Sequence, residues 1–310
     1  MTLKDWIKGR VAAMQAAAQP WADRRPLNGW AYELLLFGLI QAWASLFAGA
    51  MLALLVATHW FWPAHAPLAR YDFLVLAAIM LQVFMLATKL EYWDEALVIL
   101  IFHIVGTAME VFKTAHGSWI YPEHSLLRIG GVPLFSGFMY AGIGSYIART
   151  LRLMEIRFER YPPLWAPWIL ALLSYLNFFT DQFGLDFRWG LFALSALIWG
   201  RTRVEFTPDR VARRMPLLAT TVLVALFIWI AENLGTSAAA WIYPSQRHGW
   251  APVPLEKIGA WYLLVTLSFV LVTLVRPPRR AELDRGSRTA APAKRVTAAG
   301  LFNADKMRQP

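Results

Sequence analysis

The chain contains no cysteine. That absence excludes disulfides, thiolate metal sites, iron–sulfur clusters and a cysteine nucleophile. It is also poor in charge, with 16% Asp, Glu, Lys and Arg where a soluble domain carries about a quarter. No Gly-rich phosphate loop, Ser-His-Asp set or dinucleotide-binding pattern occurs in its 310 residues. Any chemistry must therefore come from carboxylates, His, Tyr, Lys, Arg or hydroxyls, and no cofactor is implied.

What is present is apolar. Hydrophobic residues make up 58% and the mean hydropathy is +0.43. Sixteen Trp, 19 Phe and 10 Tyr suit the aromatic belts that anchor helices at headgroup level. The net charge of +10 does not point to nucleic acid, because the basic residues lie in loops between apolar spans and form no continuous face. Eight apolar segments are long enough, or nearly so, to cross a hydrocarbon core of about 30 Å. They fall near 33–57, 72–90, 94–113, 132–152, 164–181, 185–200, 216–234 and 253–275. The fifth and sixth are short and joined by a tight turn at Asp181, Gly184 and Asp186, which leaves a re-entrant hairpin open.

With alternate loops assigned to alternate sides, all Lys and Arg but Arg70, Lys113, Arg128, Arg188, Arg247 and Lys257 fall on one side. By the positive-inside rule both termini are expected in the cytoplasm of a bacterial inner-membrane protein. Residues 1–32 read as an amphipathic arm on the membrane surface, with Leu3, Trp6, Ile7, Val11 and Met14 near helical spacing. Residues 276–310 mix Ala, Ser, Thr and basic residues without apolar periodicity, and are expected to form a disordered tail near anionic lipid.

A motif recurs. Glu110, Thr114, Trp119-Ile120-Tyr121-Pro122, Val132-Pro133-Leu134 and Tyr140 are matched by Glu232, Thr236, Trp241-Ile242-Tyr243-Pro244, Val253-Pro254-Leu255 and Trp261. Four expected spans separate the copies, so both have the same orientation. The expected fold is an all-α polytopic bundle of about eight transmembrane helices in a parallel 4+4 repeat, residues 33–152 and 153–275, with its two-fold axis along the membrane normal. Each Val-Pro-Leu is expected to place Pro in the first turn of a helix. Trp119 and Trp241 are expected to dip back into the interface.

Intramembrane ionisable groups are costly and face a protein interior or wet cavity, so each is a functional candidate. Glu110 and Glu232 lead, at similar depth near the outer surface. Their bland reading is exposure at the water boundary, which the helix dipole disfavours. His103, two turns before Glu110, is a further candidate, although a lone helical His is more often a packing residue. Asn233 and Glu256 occur in the second copy alone. Trp119, Tyr121, Tyr140, Trp241, Tyr243 and Trp261, with Asn233, are expected to bind substrate. Asn177, Thr180 and Asp181 lie near enough in depth to join the same cavity. His116, His124 and His248 lie in outer loops without tight ligand spacing, so no metal is assigned. Glu91, Asp94 and Glu95 read as a solvated acidic patch.

The stretch Gly106-Thr107 to Tyr146, with Glu110, Phe112-Lys113-Thr114, Gly117-Ser118-Trp119, Tyr121-Pro122-Glu123 and Val132-Pro133-Leu134-Phe135-Ser136-Gly137-Phe138-Met139-Tyr140, resembles the YoaT-like bacterial membrane family, a family carrying a domain-of-unknown-function label. The resemblance runs to about Arg276. The second copy, with Val253-Pro254-Leu255-Glu256 and Trp261-Tyr262, is more weakly similar to the small membrane domains of lycopene cyclases and to carotenoid hydratases. The cyclases carry a second Glu where this chain has Lys257.

That similarity implies acid/base chemistry on an isoprenoid or carotenoid-like lipid. Glu110, Glu232, Glu256 and His103 are its candidate catalytic groups, and membrane lipids, including an apolar lipid substrate, its partners. The competing reading is a small-solute or ion transporter or channel whose pathway the two carboxylates line. A third reading is a scaffold with a collapsed cavity.

Overall fold

A computed structural model describes residues 3–63, 65–209 and 211–281. The basic tail expected over 276–310 lies mostly outside these residues. Ten α-helices are present among them: α1 (Leu3–Ala22), α2 (Pro26–Ala44), α3 (Leu46–Phe61), α4 (Arg70–Ala87), α5 (Trp93–Ala115), α6 (Phe135–Leu153), α7 (Trp165–Thr180), α8 (Arg188–Trp199), α9 (Leu217–Ser237) and α10 (Lys257–Val275).

Eight spans in a 4+4 repeat is incorrect. Four helices, α4, α5, α9 and α10, are long and apolar enough to cross a membrane, or five spans if α2 and α3 count as one. The segment read as a single span at 33–57 is two helices bent by 71° at Ser45, and the first begins at Pro26, inside the stretch assigned to the surface arm. Ser45 Oγ donates to the Gln41 carbonyl, a back-bond that helps turn the chain there. α7 and α8 have 16 and 12 residues. At 1.5 Å per residue each falls short of a bilayer core of about 30 Å. α6 has 19 residues, but Arg149, Arg152, Thr150 and two serines make it too polar for a lipid-facing span.

That polarity is accommodated by burial. α6 packs most closely on α5, and also on α2, α3, α4 and α10. The close approach depends on missing side chains: a Cβ on Gly106 of α5 would come within 2.7 Å of the Tyr140 ring, and one on Gly144 of α6 within 2.7 Å of Phe102. α10 touches α5, α6, α7, α8 and α9, and Val265 to Val270 are buried on every face of it. It is the central helix, which fits its apolar sequence all round.

Two small sheets close the ends. β1 (Arg128–Ile129) and β2 (Val132–Pro133) form a hairpin through Gly130 and Gly131, both at positive φ, as a two-residue turn requires. β3 (Arg157–Glu159), β4 (Arg203–Phe206) and β5 (Arg213–Pro216) form an antiparallel sheet in that order. Pro133 therefore lies in β2, before α6 begins, and Pro254 precedes α10; neither sits in a helix's first turn.

The acidic residues before and within α5 are not a solvated patch. Glu95 is fully buried, receiving Arg152 Nε at 2.6 Å and Nη2 at 3.1 Å as well as the Tyr92 amide. Glu91 is 2% exposed and accepts from Ser145 and Gln82; burial pushes its carboxyl above the usual range. Arg276 pairs with Asp94 and lies 3.6 Å from Glu95, fastening the end of α10 to the start of α5. Arg149, wholly buried, donates to the Leu90 and Trp43 carbonyls. Removing one partner of a buried ion pair costs about 3–5 kcal/mol. Arg152→Ala is accordingly expected to lower the unfolding midpoint in detergent strongly, and Glu95→Gln in the Arg152→Ala background to recover part of the loss. No recovery in the double variant would show that Glu95 is not the buried charge left uncompensated.

Candidate functional site

Both motif glutamates are buried, Glu110 at 4% and Glu232 at 3% exposure, more than one turn before the ends of α5 and α9. Each carboxylate is held by aromatic donors from the same two places in its own copy. Glu110 Oε2 accepts from Trp119 Nε1 at 2.7 Å and from the Tyr121 hydroxyl at 2.6 Å, and Oε1 accepts from the Tyr140 hydroxyl at 2.7 Å. Glu232 Oε1 accepts from the Tyr243 hydroxyl at 2.5 Å, and Oε2 from Trp261 Nε1 at 2.7 Å. The loop supplies two donors to Glu110 and one to Glu232, and the following helix, α6 or α10, supplies one more to each. Trp241 differs from Trp119: its ring lies over Gly235, where a Cβ would approach it to 2.5 Å.

The two loops meet directly. Ile120 and Ile242 exchange both backbone hydrogen bonds, at 3.0 and 2.9 Å, in an antiparallel bridge between matching residues. Trp119 packs edge-on against Tyr243 at 5.9 Å, and Tyr140 lies 6.5 Å from Trp261. Burial, then the Glu110 charge, pushes the Tyr121 phenol well above its ordinary range. Burial and Glu232 do the same for Tyr243. Both hydroxyls stay protonated and remain donors.

Glu110 and Glu232 line one cavity of about 870 Å³, within the size range of small-molecule sites. Its polar end also holds Trp119, Tyr121, Tyr140, Trp241, Tyr243, Lys257 and Trp261. The middle is apolar, with Met51, Met139, Ile143, Ile228 and Leu264. The far end reaches Gln41, Tyr146, Thr150, Met154 and the β4 residue Phe206. Leu34 on α2 and Leu223 and Phe227 on α9 line it and are themselves 68%, 44% and 70% exposed, so the cavity opens sideways between these helices.

Not every candidate reaches this cavity. His103 stacks on Phe138 at 4.3 Å, with Nδ1 buried and unpartnered. Glu256, just before α10, is exposed. Asn233 is a brace: its Oδ1 accepts from the Val253 amide at 2.9 Å and its Nδ2 donates to the Trp229 carbonyl at 2.8 Å. Asn177 and Asp181 line a separate space of about 50 Å³, where Asp181 pairs with Lys113 at 2.5 Å. His116 stacks on Phe112. Among the described residues no group of three or more His, Asp or Glu could hold a metal ion.

Lys257 lines the cavity, although the sequence marked it only as the residue standing where the cyclases carry a second Glu. Its signal was visible, a lysine at the first position of an otherwise apolar helix in the repeated motif. The other groups that sequence reasoning missed are braces of the loops at the glutamate end: Arg70 pairs with Glu123 at 2.6 Å, and Asp72 accepts from the Leu126 and Leu127 amides.

Each buried donor left without an acceptor costs about 1–3 kcal/mol. Glu110→Ala strands three donors and Glu232→Ala two, so Glu110→Ala is expected to give the larger drop in thermal midpoint, followed by Trp fluorescence. Glu110→Gln, which keeps a carbonyl acceptor, is expected to fall between wild type and Glu110→Ala. The reverse order of the two alanine variants would show that these hydrogen bonds do not hold the loops.

No solved structure matches the chain. It is 39% identical over 257 residues to the "Uncharacterized protein YoaT" of Bacillus subtilis (strain 168), an alignment covering 81% of this chain and 97% of that protein. The family described as "Protein of unknown function (DUF817)" matches residues 33–269. With its apolar helices long enough to cross a bilayer, the chain is a bacterial membrane protein, and it belongs to the DUF817 family.

Proposed function

We propose that this protein is a membrane enzyme performing acid/base chemistry on an isoprenoid or carotenoid-like lipid, with Glu232 and Glu110 as the acid/base pair. The observation that carries this reading is the pairing of two buried, aromatic-bound carboxylates at one end of a long apolar cavity open sideways. A polyene is protonated by a carboxylic acid in water-poor surroundings, and the resulting carbocation is stabilised by aromatic faces and a carboxylate. Trp119, Tyr140, Tyr243 and Trp261 offer such faces beside both acids. Tyr121 and Tyr243, as permanent donors, fix the carboxylates in place for proton transfer. The likeness of the two motif copies, and their reciprocal Ile120–Ile242 bridge, support a duplicated motif with a local two-fold relation between the loops.

A transport pathway for ions would need polar groups along its length. Met139, Ile143, Ile228 and Leu264 supply none across the middle of the cavity.

Lipid extracts from cells lacking the gene, compared by mass spectrometry with cells restored by wild type or Glu232→Gln, test the reading. A polyprenoid is expected to accumulate in the deletion and to be consumed by wild type. Glu232→Gln is expected to lose about 10²–10⁴-fold in turnover, the usual contribution of a positioned acid or base. An unchanged lipid profile together with altered solute uptake would overturn the assignment.

A further inference from the structure

Acid/base chemistry by the two glutamates leaves one ionisable group of the cavity unused. Lys257, the first residue of α10, lines the cavity at its polar end. Its ammonium lies 4.7 Å from the centre of the Tyr243 ring and 5.9 Å from that of Trp119. Among the described residues it makes no hydrogen bond or ion pair, whereas its neighbour Lys113 is already paired with Asp181. Tyr243 links it to an acid, because the hydroxyl of the same ring donates to Glu232. A lysine without a carboxylate partner in an apolar pocket is the arrangement that turns an amine into a nucleophile toward carbonyl carbon.

We propose that Lys257 forms an imine with an elongated apolar aldehyde seated in the cavity. This rests on the cavity being a site for an apolar lipid, as proposed above, and names the functional group that lipid carries. Glu232 takes one proton from the ammonium, and the freed amine forms a C–N bond to the aldehyde carbon while the carbonyl π pair moves to oxygen. A proton passes from nitrogen to that oxygen, giving a carbinolamine. Glu232 returns its proton to the hydroxyl, the C–O bond breaks, water leaves, and the nitrogen lone pair closes the C=N bond. Aldehyde and ammonium become iminium and water, with one positive charge on each side. The iminium keeps the place of the ammonium over Tyr243 and Trp119, with Glu232 as its counter-ion. The hydrocarbon chain runs along the apolar middle toward Gln41 and Tyr146.

The full chain in lipid nanodiscs, incubated with all-trans-retinal as probe aldehyde and reduced with borohydride, tests this by intact mass and peptide mapping. One adduct per chain is expected, on the peptide containing Lys257, with a red-shifted absorbance before reduction. Lys257→Arg keeps a cation over the rings but cannot form the imine, and is expected to reduce the adduct by at least roughly tenfold. Lys257→Met, checked for folding by size exclusion and thermal midpoint, is expected to do the same. An adduct undiminished in both variants, or spread equally over exposed lysines such as Lys89, would overturn the assignment. Binding of all-trans-retinol, seen by Trp quenching, with no adduct from retinal would also overturn it while leaving the lipid site standing. An adduct on Lys257 with an unchanged lipid profile in the deletion strain would support the imine and remove the acid/base reading.

Discussion

A carboxylate taken out of water costs several kcal/mol unless its lone pairs are met by donors. In this protein two such groups are drawn into an apolar cavity, and this end of the fold is arranged around supplying their donors. Glu110 needs Trp119 and Tyr121 from the loop after α5 and Tyr140 from α6; Glu232 needs Tyr243 from the loop after α9 and Trp261 from α10. The loops must fold back over the helix ends to deliver these groups. The Ile120–Ile242 bridge, the Asp72 contacts to the Leu126 and Leu127 amides, and the Asn233 brace all hold them there. Loop structure, helix packing and cavity chemistry follow from one electrostatic requirement.

The opposite end solves a related problem differently. Glu95 is met by Arg152 and Glu91 by Ser145 and Gln82, so charge is neutralised by ion pairing and by neutral donors rather than by aromatic hydroxyls. Buried pairs of this kind define register more than they add stability. The Arg276 contacts to Asp94 and Glu95 set how α10, the central helix, sits against α5. The two ends thus differ in function: one fixes the bundle, the other leaves acids accessible within a cavity.

The membrane class, the two glutamates and their aromatic partners were legible because each leaves a local mark, an apolar run or a recurring spacing. The number of spans was not. Hydropathy cannot distinguish a helix facing lipid from one shielded by protein, so the polar α6 was read as a full crossing, and the short α7 and α8 as crossings with a re-entrant hairpin left open. The 71° bend at Ser45 left no Pro or Gly at the break to announce it. His103 was selected for its place two turns before Glu110 and Glu256 for its occurrence in the second copy alone, yet neither lines the cavity. Lys257 was named but given no role in the site, because its importance depends on which rings fold over it. Glu91 and Glu95 were read as solvated because Ser145 and Arg152, which bind them inside the bundle, lie more than fifty residues away.

The sideways mouth between α2 and α9 changes which quantity governs occupancy. A ligand arriving from the bilayer has already left water, at about 0.8 kcal/mol for each buried methylene, so that gain cannot be counted again on entering the cavity. For the apolar lipid proposed above, occupancy would then follow its mole fraction among lipids instead of its molarity in solution. Little of the selection between similar hydrocarbon chains remains for the apolar walls to perform. Discrimination falls to the polar end, where a chemical head group meets fixed charges and oriented aromatic donors.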